Sequence, residues 1–262
     1  MALETPLALI EQHRPWSVSK IDTLKQCPYK FKFNYVKKMK IDRPVNKALV
    51  IGKAAHAVLQ YAVTGRNLDA CFEFAIVDCK LTSEEIDELL GYRPAITAFL
   101  VKYHSYLKKH DIRESITERQ YAIDISGKPV KFFDNDHAFI RGVVDLALFV
   151  RQQPHIVVLD HKTGKHREFS HYNAQFDFYR LLLRASHPTI TGMVTGIHYV
   201  SDASIKTSAL TDVADLEPLY NKVMGYMNDI ASSIATLEER RTGWWCRFCD
   251  YQDGCLNGEE GR

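Results

Sequence analysis

Two apolar runs that contain charged residues constrain the fold of this 262-residue chain more than any other feature. RGVVDLALFV at 141–150 surrounds Asp145 with aliphatic side chains, and IVVLDHKTG at 156–164 ends in Asp160 and Lys162. Both runs are rich in β-branched residues, which predicts two consecutive strands. Because side chains alternate along a strand, Asp160 and Lys162 project from the same face. This pairing indicates either an exposed salt bridge at a strand end or an active site.

The rest of the hydrophobic pattern predicts helices around a short run of strands. Residues 67–110 have helical periodicity, and residues 115–126 then alternate apolar and polar side chains as a first strand does. After the two apolar runs, residues 169–186 are helical, residues 190–200 form a further strand, and residues 211–240 are helical again. Helices, a three-strand meander, a helix, a strand and helices together indicate a mixed α/β core.

The residues before this core contain two helix signals and one ambiguous segment. Ser19 and Asp22 fit a capping box, and Pro28 disfavours continuation of that helix through Cys27. We expect Gly52 to begin a buried helix over 52–63. PYKFKFNYV at 28–36 alternates apolar and polar residues, and this pattern alone leaves strand and helix open.

Composition limits the class of protein. With 46% hydrophobic residues the chain can bury a substantial core, and no apolar stretch reaches transmembrane length. The N-terminal MALETPLALIEQHRP lacks a basic segment followed by a long apolar core, so we expect a cytoplasmic protein of a bacterium, an archaeon or a phage-infected host. The formal net charge is only +2, but residues 20–53 are strongly basic. That tract is either a solvated face or a surface for a polyanion.

The cysteine spacing indicates a metal centre. Cys246, Cys249 and Cys255 form a C-x2-C-x5-C motif, which places three thiols close enough to bind one centre. A zinc ribbon would show a second C-x2-C motif, so a fourth ligand has to come from elsewhere, and Cys27 is the natural candidate. The remaining two cysteines, Cys71 and Cys79, are expected to be small buried hydrophobes on a helix.

Asp145 and Asp160, on strands expected to pair, offer oxygen ligands that suit a hard divalent ion such as Mg²⁺ or Mn²⁺. Lys162 could orient or deprotonate a water beside that ion, which is the arrangement needed to hydrolyse a phosphodiester. Four motifs accompany these residues in order: GKAAH at 52–56, GVVD at 142–145, DHKTG at 160–164 and QFDFY at 175–179. Each alone has an ordinary structural explanation, such as a core histidine or a local helix contact.

Together and in this order, the four motifs resemble those of the RecB-like branch of the PD-(D/E)XK nucleases. The resemblance implies a restriction-endonuclease-like mixed sheet flanked by helices. It also implies roles for individual residues: His56, Asp145, Asp160 and the backbone carbonyl of His161 as metal ligands, Lys162 as the catalytic lysine, and Gln175 with Tyr179 on one helix face near the DNA backbone. The family often has an acid on the preceding strand, but Glu118 also fits ordinary strand-edge polarity and stays outside the predicted set.

The cysteines are similar to those of the iron–sulfur subset of this family, which includes AddB-type helicase–nucleases and CRISPR-associated exonucleases. The similarity implies a [4Fe–4S] cluster that joins the N- and C-terminal segments, with four-cysteine zinc as the alternative. Three aromatic residues are expected to shield the cluster from water: Trp244, Trp245 and Phe248. The four implied cluster ligands are Cys27, Cys246, Cys249 and Cys255.

The resemblance also implies a domain organisation. A single nuclease domain is expected over 1–262. Within it we expect an N-terminal basic segment at 17–50 with the first cluster cysteine, a nuclease core at 51–210 with a helical insertion at about 67–113, and a cysteine cluster at 241–262.

By the same resemblance, the expected activity is that of a metal-dependent DNA nuclease. The leading form is an exonuclease on single-stranded DNA or duplex ends, acting 5′→3′ in DNA recombination, repair or processing. The alternatives are a structure-selective endonuclease and an inactive nuclease-derived DNA-binding scaffold. The chain has no GxxxxGK[ST] helicase motif, so it resembles phage and CRISPR-associated nucleases. Besides DNA, the expected partners are recombination, CRISPR or phage proteins.

Overall fold

The computed structural model of the protein describes residues 6–39, 46–151, 153–252 and 255. The α-helices among them are α1 (Pro6–Gln12), α2 (Val18–Gln26), α3 (Pro28–Phe31), α4 (Lys47–Ala62), α5 (Leu68–Asp78), α6 (Ser83–Gly91), α7 (Arg93–Lys109), α8 (Asn173–Ser186) and α9 (Leu216–Ser232). Shorter helical turns are a π-helical turn at Lys32–Val36 and 3-10 turns at Phe169–Tyr172 and Trp244–Phe248. The strands are β1 (Ile112–Ile123), β2 (Pro129–Val130), β3 (Ile140–Val150), β4 (His155–Lys162), β5 (Gly192–Tyr199), β6 (Ser204–Thr207) and β7 (Thr211–Asp212).

The strands form one mixed sheet in the order β2-β1-β3-β4-β5-β6, and β7 also pairs with β5. Strands β3 and β4 are antiparallel, whereas β4 and β5 are parallel along their whole length, from His155 opposite Gly192 to Lys162 opposite Tyr199. Parallel neighbours need a long crossover, and α8 supplies it. The predicted α/β class and mixed sheet flanked by helices are therefore confirmed.

The chain forms two compact units, each discontinuous in sequence. One unit contains the described residues before position 45 together with Ala122–Gly142 and those from Glu217 onward. The other contains Val45–Tyr121 and Val143–Leu216. We call them the cysteine unit and the carboxylate unit, after the groups of residues described below.

The core of the carboxylate unit lies between helices α4–α7 and one face of β3 and β4. Leu146, Leu148 and Leu159 from the strands are buried with Val58 and Phe99 from the helices. Burial of each such side chain contributes about 1.5–3 kcal/mol, so this cluster fixes α4 firmly against the strands. The predicted helical segment 67–110 is confirmed and supplies three of the four helices.

Four local predictions need correction or completion. The capping box at Ser19 and Asp22 is wrong: α2 is capped by Ser17, whose side chain accepts from the Lys20 backbone N–H. Helix α4 begins at Lys47, capped by Asn46, and not at Gly52. The ambiguous segment 28–36 is helical, and within the predicted helical segment 211–240 only α9 is a helix, with β7 before it.

Among the described residues, none of the helices is both long enough and apolar enough to cross a lipid bilayer.

Candidate active site

Two buried carboxylates lie side by side where β3 meets β4. The last registered pair of these strands is Leu146 with Leu159, and Asp145 and Asp160 are the next residues on each strand. Asp145 is 9% exposed and Asp160 only 2%. Burial and the neighbouring Asp160 raise the pKa of Asp145 to about 8, because two carboxylates in one dry place resist ionising together. The strands therefore bring together the charges that the sequence pattern predicted.

Helix α4 adds an imidazole to this pair. His56 Nδ1 lies 3.3 Å from Glu118 Oε1 and 3.6 Å from Asp145 Oδ2. Its other ring nitrogen, Nε2, lies 3.0 Å from the backbone carbonyl oxygen of His161. Burial lowers the pKa of His56, but the hydrogen bond that its ring donates to Glu118 and the charges of Asp145 and Glu118 outweigh it and raise that pKa to about 9. A positive charge is strongly favoured at this position.

These groups fit a hard divalent ion. One ligand atom each from His56, Glu118 and Asp145 lie within 4.8 Å of one another. All are oxygen or imidazole ligands, which Mg²⁺ and Mn²⁺ accept, and the set carries two carboxylates around a half-buried space. The His161 backbone orients one of them, since its N–H donates to Asp145 Oδ2 at 2.7 Å. The donor set therefore suits a metal ion, which would replace the proton that His56 otherwise holds.

Glu118 is the site residue that sequence analysis left out. It lies inside β1, yet its backbone φ of +46° is in the left-handed region, which is unusual for a residue with a Cβ. Such a conformation interrupts the regular alternation of strand side chains. From β1, which lies next to β3 in the sheet, Glu118 places its Oε1 3.3 Å from His56 Nδ1. The only sequence signal for it is an acid on the strand before Asp145.

A second group surrounds Asp160. Lys162 Nζ contacts Asp160 Oδ2 at 2.6 Å, which confirms that the two side chains share a face of β4. On the other carboxylate oxygen, Asp160 Oδ1 accepts hydrogen bonds from the Gln175 amide and, at 3.0 Å, from the Tyr179 hydroxyl. The Gln175 carbonyl oxygen accepts from Lys162 Nζ at 3.2 Å. Helix α8 thus holds both members of the D-x-K motif.

Tyr179 is buried against this carboxylate. Burial and the charge of Asp160 raise its pKa well above the ordinary value, so the phenol stays protonated and donates. Gln175 Nε2 also donates to the Tyr179 hydroxyl at 2.9 Å, as residues four apart on a helix can. The glutamine and the tyrosine of the QFDFY motif therefore both bind Asp160.

Gly52 allows α4 to approach the end of β4. A side chain at position 52 would place its Cβ 3.2 Å from Thr163 Oγ1, tighter than an ordinary contact. Gly52 and His56 are one helical turn apart, so the glycine brings the histidine close to β4. This close approach, and not helix initiation, is the structural reason for the glycine in GKAAH.

The His161 side chain takes no part in either group. Its Nδ1 lies 2.8 Å from Nδ1 of His198 on β5, and the Phe99 ring stacks on His198 with 3.9 Å between centroids. Burial lowers the pKa of both imidazoles, that of His198 to about 3, so both are neutral. Only the backbone of His161 faces the site, as the sequence resemblance implied.

The four predicted cluster cysteines lie together in the cysteine unit. Cys27, Cys246, Cys249 and Cys255 line one cavity of about 40 Å³, together with aromatic residues such as Tyr29 and Tyr251 and with basic residues such as Arg240. Burial raises the pKa of the Cys249 and Cys255 thiols.

The aromatic residues near these cysteines divide differently from the prediction. Trp245 lines the cavity, but Trp244 and Phe248 do not and are 62% and 60% exposed. The expectation that these two shield the cluster is therefore wrong. Cys71 is buried in the core of the carboxylate unit and Cys79 packs against the same core, as expected for small hydrophobes.

The basic tract is partly neutralised. Lys32 forms an ion pair with Glu238 at 2.5 Å, and Lys47 pairs with Glu84 at 2.7 Å. Lys37 and Lys38 are exposed at the end of the π-helical turn. Lys40 and Arg43 lie outside the described residues.

Comparisons with known proteins identify the family and the fold. The family profile of the PD-(D/E)XK nuclease superfamily matches residues 15–256. A crystal structure named "Putative exonuclease" from Eubacterium rectale is similar with a TM-score of 0.51 and 12% identity, covering 99% of this chain and 92% of that one. The crystal structure of SSO0001 aligns with a TM-score of 0.39 and 14% identity, over 96% of this chain and 92% of that one. No curated protein matches the sequence significantly.

Proposed function

The chain belongs to the PD-(D/E)XK nuclease superfamily and is a deoxyribonuclease hydrolase, and we propose that it is a metal-dependent exonuclease. Its substrates in this proposal are single-stranded DNA or duplex ends, degraded 5′→3′ during recombination, repair or related DNA processing. The observation that carries the proposal is the contact of two groups at one strand end. A metal-binding group of His56, Glu118 and Asp145 lies beside a D-x-K group of Asp160 and Lys162.

The first group would hold a divalent ion, with the His161 carbonyl as a further ligand. When bound, such an ion supplies charge to polarise a phosphodiester and to acidify a water. His56, Glu118 and Asp145 come from α4, β1 and β3, so three elements packed around one core fix their positions. A site held this rigidly loses little entropy when it binds its ligand.

The second group would position the nucleophile. Lys162 Nζ is held by Asp160 Oδ2 and by the Gln175 carbonyl oxygen, and it remains half-exposed. In this role Lys162 orients the attacking water and either takes its proton or stabilises the charge that develops on the phosphate. Gln175 and Tyr179 keep the Asp160 carboxylate fixed while Lys162 acts.

We also propose that the four cavity cysteines hold a [4Fe–4S] cluster. Thiolates are soft ligands that suit iron–sulfur clusters and zinc. The four cysteines line one cavity, so their thiolates could bind a single metal centre. The cluster would link Cys27 to the C-terminal turn and stabilise the cysteine unit. None of the six cysteines, all of which are among the described residues, forms a disulfide, so the four cavity cysteines are available as ligands.

Digestion of end-labelled DNA tests the proposed activity. Single-stranded and duplex substrates labelled at the 5′ or 3′ end are incubated with Mg²⁺, Mn²⁺ or excess EDTA. We expect metal-dependent release of mononucleotides or short products from the 5′ end. A closed circular single strand should resist digestion.

The other outcomes separate the alternatives. Cleavage of the circle would indicate an endonuclease, and binding without any cleavage under all metal conditions would indicate a DNA-binding scaffold. Cleavage that persists in excess EDTA would contradict the metal-dependent mechanism.

A further inference from the structure

An exposed aromatic pair lies on the short turn that carries two of the cavity cysteines. Trp244 is 62% and Phe248 60% exposed, and their ring centroids are 6.4 Å apart with an angle of 76° between the rings. Exposure of two large aromatic side chains costs hydrophobic free energy, which a turn next to a buried cavity could have avoided. Two exposed aromatic rings on one short turn offer a surface that a ligand can cover.

The turn itself is well fixed. The Gly243 N–H donates to Cys246 Sγ at 3.4 Å, and the Cys249 N–H donates to the Cys246 carbonyl at 3.0 Å. Trp245 folds back over Gly243, where any side chain would collide with its ring at 2.4 Å. Trp245 also donates its indole N–H to the Arg241 carbonyl at 3.3 Å. Trp245 is thus held against the cavity, and Trp244 before it is exposed to solvent.

The same turn carries an exposed positive charge on Arg247. Residues 238–250 contain three arginines and three acids, and Arg241 pairs with Glu239 at 2.7 Å. Arg247 lies between the two aromatic residues and is exposed, and it makes no hydrogen bond or ion pair within the described part of the chain. An exposed arginine on the same short turn as two exposed aromatic rings can bind a phosphate while the rings stack on bases of single-stranded nucleic acid.

We propose that Trp244 and Phe248 form a stacking platform for the bases of single-stranded DNA, with Arg247 binding the adjoining phosphate. This proposal rests on the proposed function for the identity of the nucleic acid. It assigns the base contact to the cysteine unit, whose thiol-lined turn presents the platform. A protein partner or a second copy of this chain would cover the same two aromatic rings. Neither of them, however, requires that Arg247 lack an acidic partner.

Binding in excess EDTA tests the platform without any dependence on cleavage. The probes are fluorescent oligothymidylate and an abasic oligonucleotide of the same length, which keeps the phosphates and lacks the bases. Trp244→Ala and Phe248→Ala should each weaken binding of oligothymidylate by about 5- to 150-fold, the range of base–aromatic stacking energies. Neither substitution should change binding of the abasic strand.

Two further variants make the test specific. Phe133→Ala is the matched control, because Phe133 is 73% exposed in the same unit and lies outside the proposed platform. Its affinity for both probes should equal that of the wild type. Arg247→Ala should weaken binding of both probes and reduce the salt dependence, while the preference for bases remains.

The outcomes are distinct. Equal loss of affinity for both probes in Trp244→Ala, or no loss for either, overturns the platform. A change in oligomeric state by sedimentation velocity, with unchanged DNA affinity, would identify the pair as a contact between copies. The binding assay in EDTA does not depend on cleavage. If the protein binds bases through Trp244 but does not cleave DNA when metal is supplied, only the proposed function is refuted.

Discussion

Replacement of Lys162 by alanine is the most informative single change at the proposed site. The side chain makes two contacts, 2.6 Å to Asp160 Oδ2 and 3.2 Å to the Gln175 carbonyl oxygen. Its loss leaves the buried Asp160 carboxylate with two hydrogen bonds to its other oxygen, from Gln175 and Tyr179. We expect Lys162→Ala to lower the free energy of unfolding by about 1–3 kcal/mol, the usual result of removing one partner of a buried polar group.

The effect on catalysis should be much larger. Positioned proton transfer supplies about 10²–10⁴-fold, so Lys162→Ala should lower kcat by that factor, or about 2.7–5.5 kcal/mol in activation free energy. DNA affinity and the affinity for Mn²⁺ should change little, because Lys162 lies outside the His56, Glu118 and Asp145 group. Single-turnover cleavage of labelled DNA measures the rate, and isothermal titration measures Mn²⁺ binding.

Lys165→Ala is the matched control, since Lys165 is exposed and three residues further along the chain. It should cleave at the wild-type rate. Near wild-type turnover in Lys162→Ala, with folding and Mn²⁺ binding intact, would refute the assignment and leave Asp160 and Lys162 as a structural ion pair. Equal losses in both variants would indicate a general effect of charge on DNA binding.

Four other predictions follow from the same geometry. Asp145→Ala should abolish cleavage and Mn²⁺ binding in titration calorimetry while the far-UV circular dichroism stays unchanged; retained Mn²⁺ affinity would contradict its role as a ligand. Glu118→Gln should weaken Mn²⁺ binding with little effect on DNA affinity. Unchanged Mn²⁺ affinity would show that Glu118 is an ordinary polar residue of the strand and not a metal ligand. Anaerobically purified protein should contain about four irons per chain, which Cys27→Ser should lose together with thermal stability; one zinc instead of iron in the wild type would refute the cluster. Joint replacement of Lys37 and Lys38 by alanine should weaken DNA binding and flatten its salt dependence, and an unchanged slope would place these lysines away from the DNA.

Residues related by a short sequence period were predictable. Asp160 and Lys162 are two apart on a strand and contact each other, and Gln175 and Tyr179 are four apart on a helix and do the same. In both cases the period of the element fixes the shared face, so no tertiary information is needed. The apolar run before Asp160 then indicates that the shared face is buried.

Residues whose position depends on local backbone geometry could not be predicted in this way. Glu118 reaches His56 from a backbone conformation with φ of +46°, which strand alternation does not anticipate. The segment 28–36 shows the opposite failure. Tyr29, Phe31 and Phe33 alternate as in a strand, yet all three are buried from helical turns. Tertiary contacts of these aromatic rings, such as Phe33 stacked on Tyr251, override the local pattern.

The division of the acids between two groups is the main mechanistic consequence of the structure. The sequence resemblance implied that Asp145 and Asp160 serve the metal together. In the structure Asp145 lies with His56 and Glu118, while Asp160 Oδ1 accepts from Gln175 and Tyr179. Asp160 Oδ2 lies 2.6 Å from Lys162 Nζ and accepts no hydrogen bond within the described residues, so the role of Asp160 as a metal ligand stays a prediction. Asp160 can therefore hold the lysine in place without giving up its hydrogen bonds. Because the charge of Asp160 also raises the pKa of Asp145, the two carboxylates remain electrostatically coupled, and a change of charge at Asp160 should shift the pKa of Asp145.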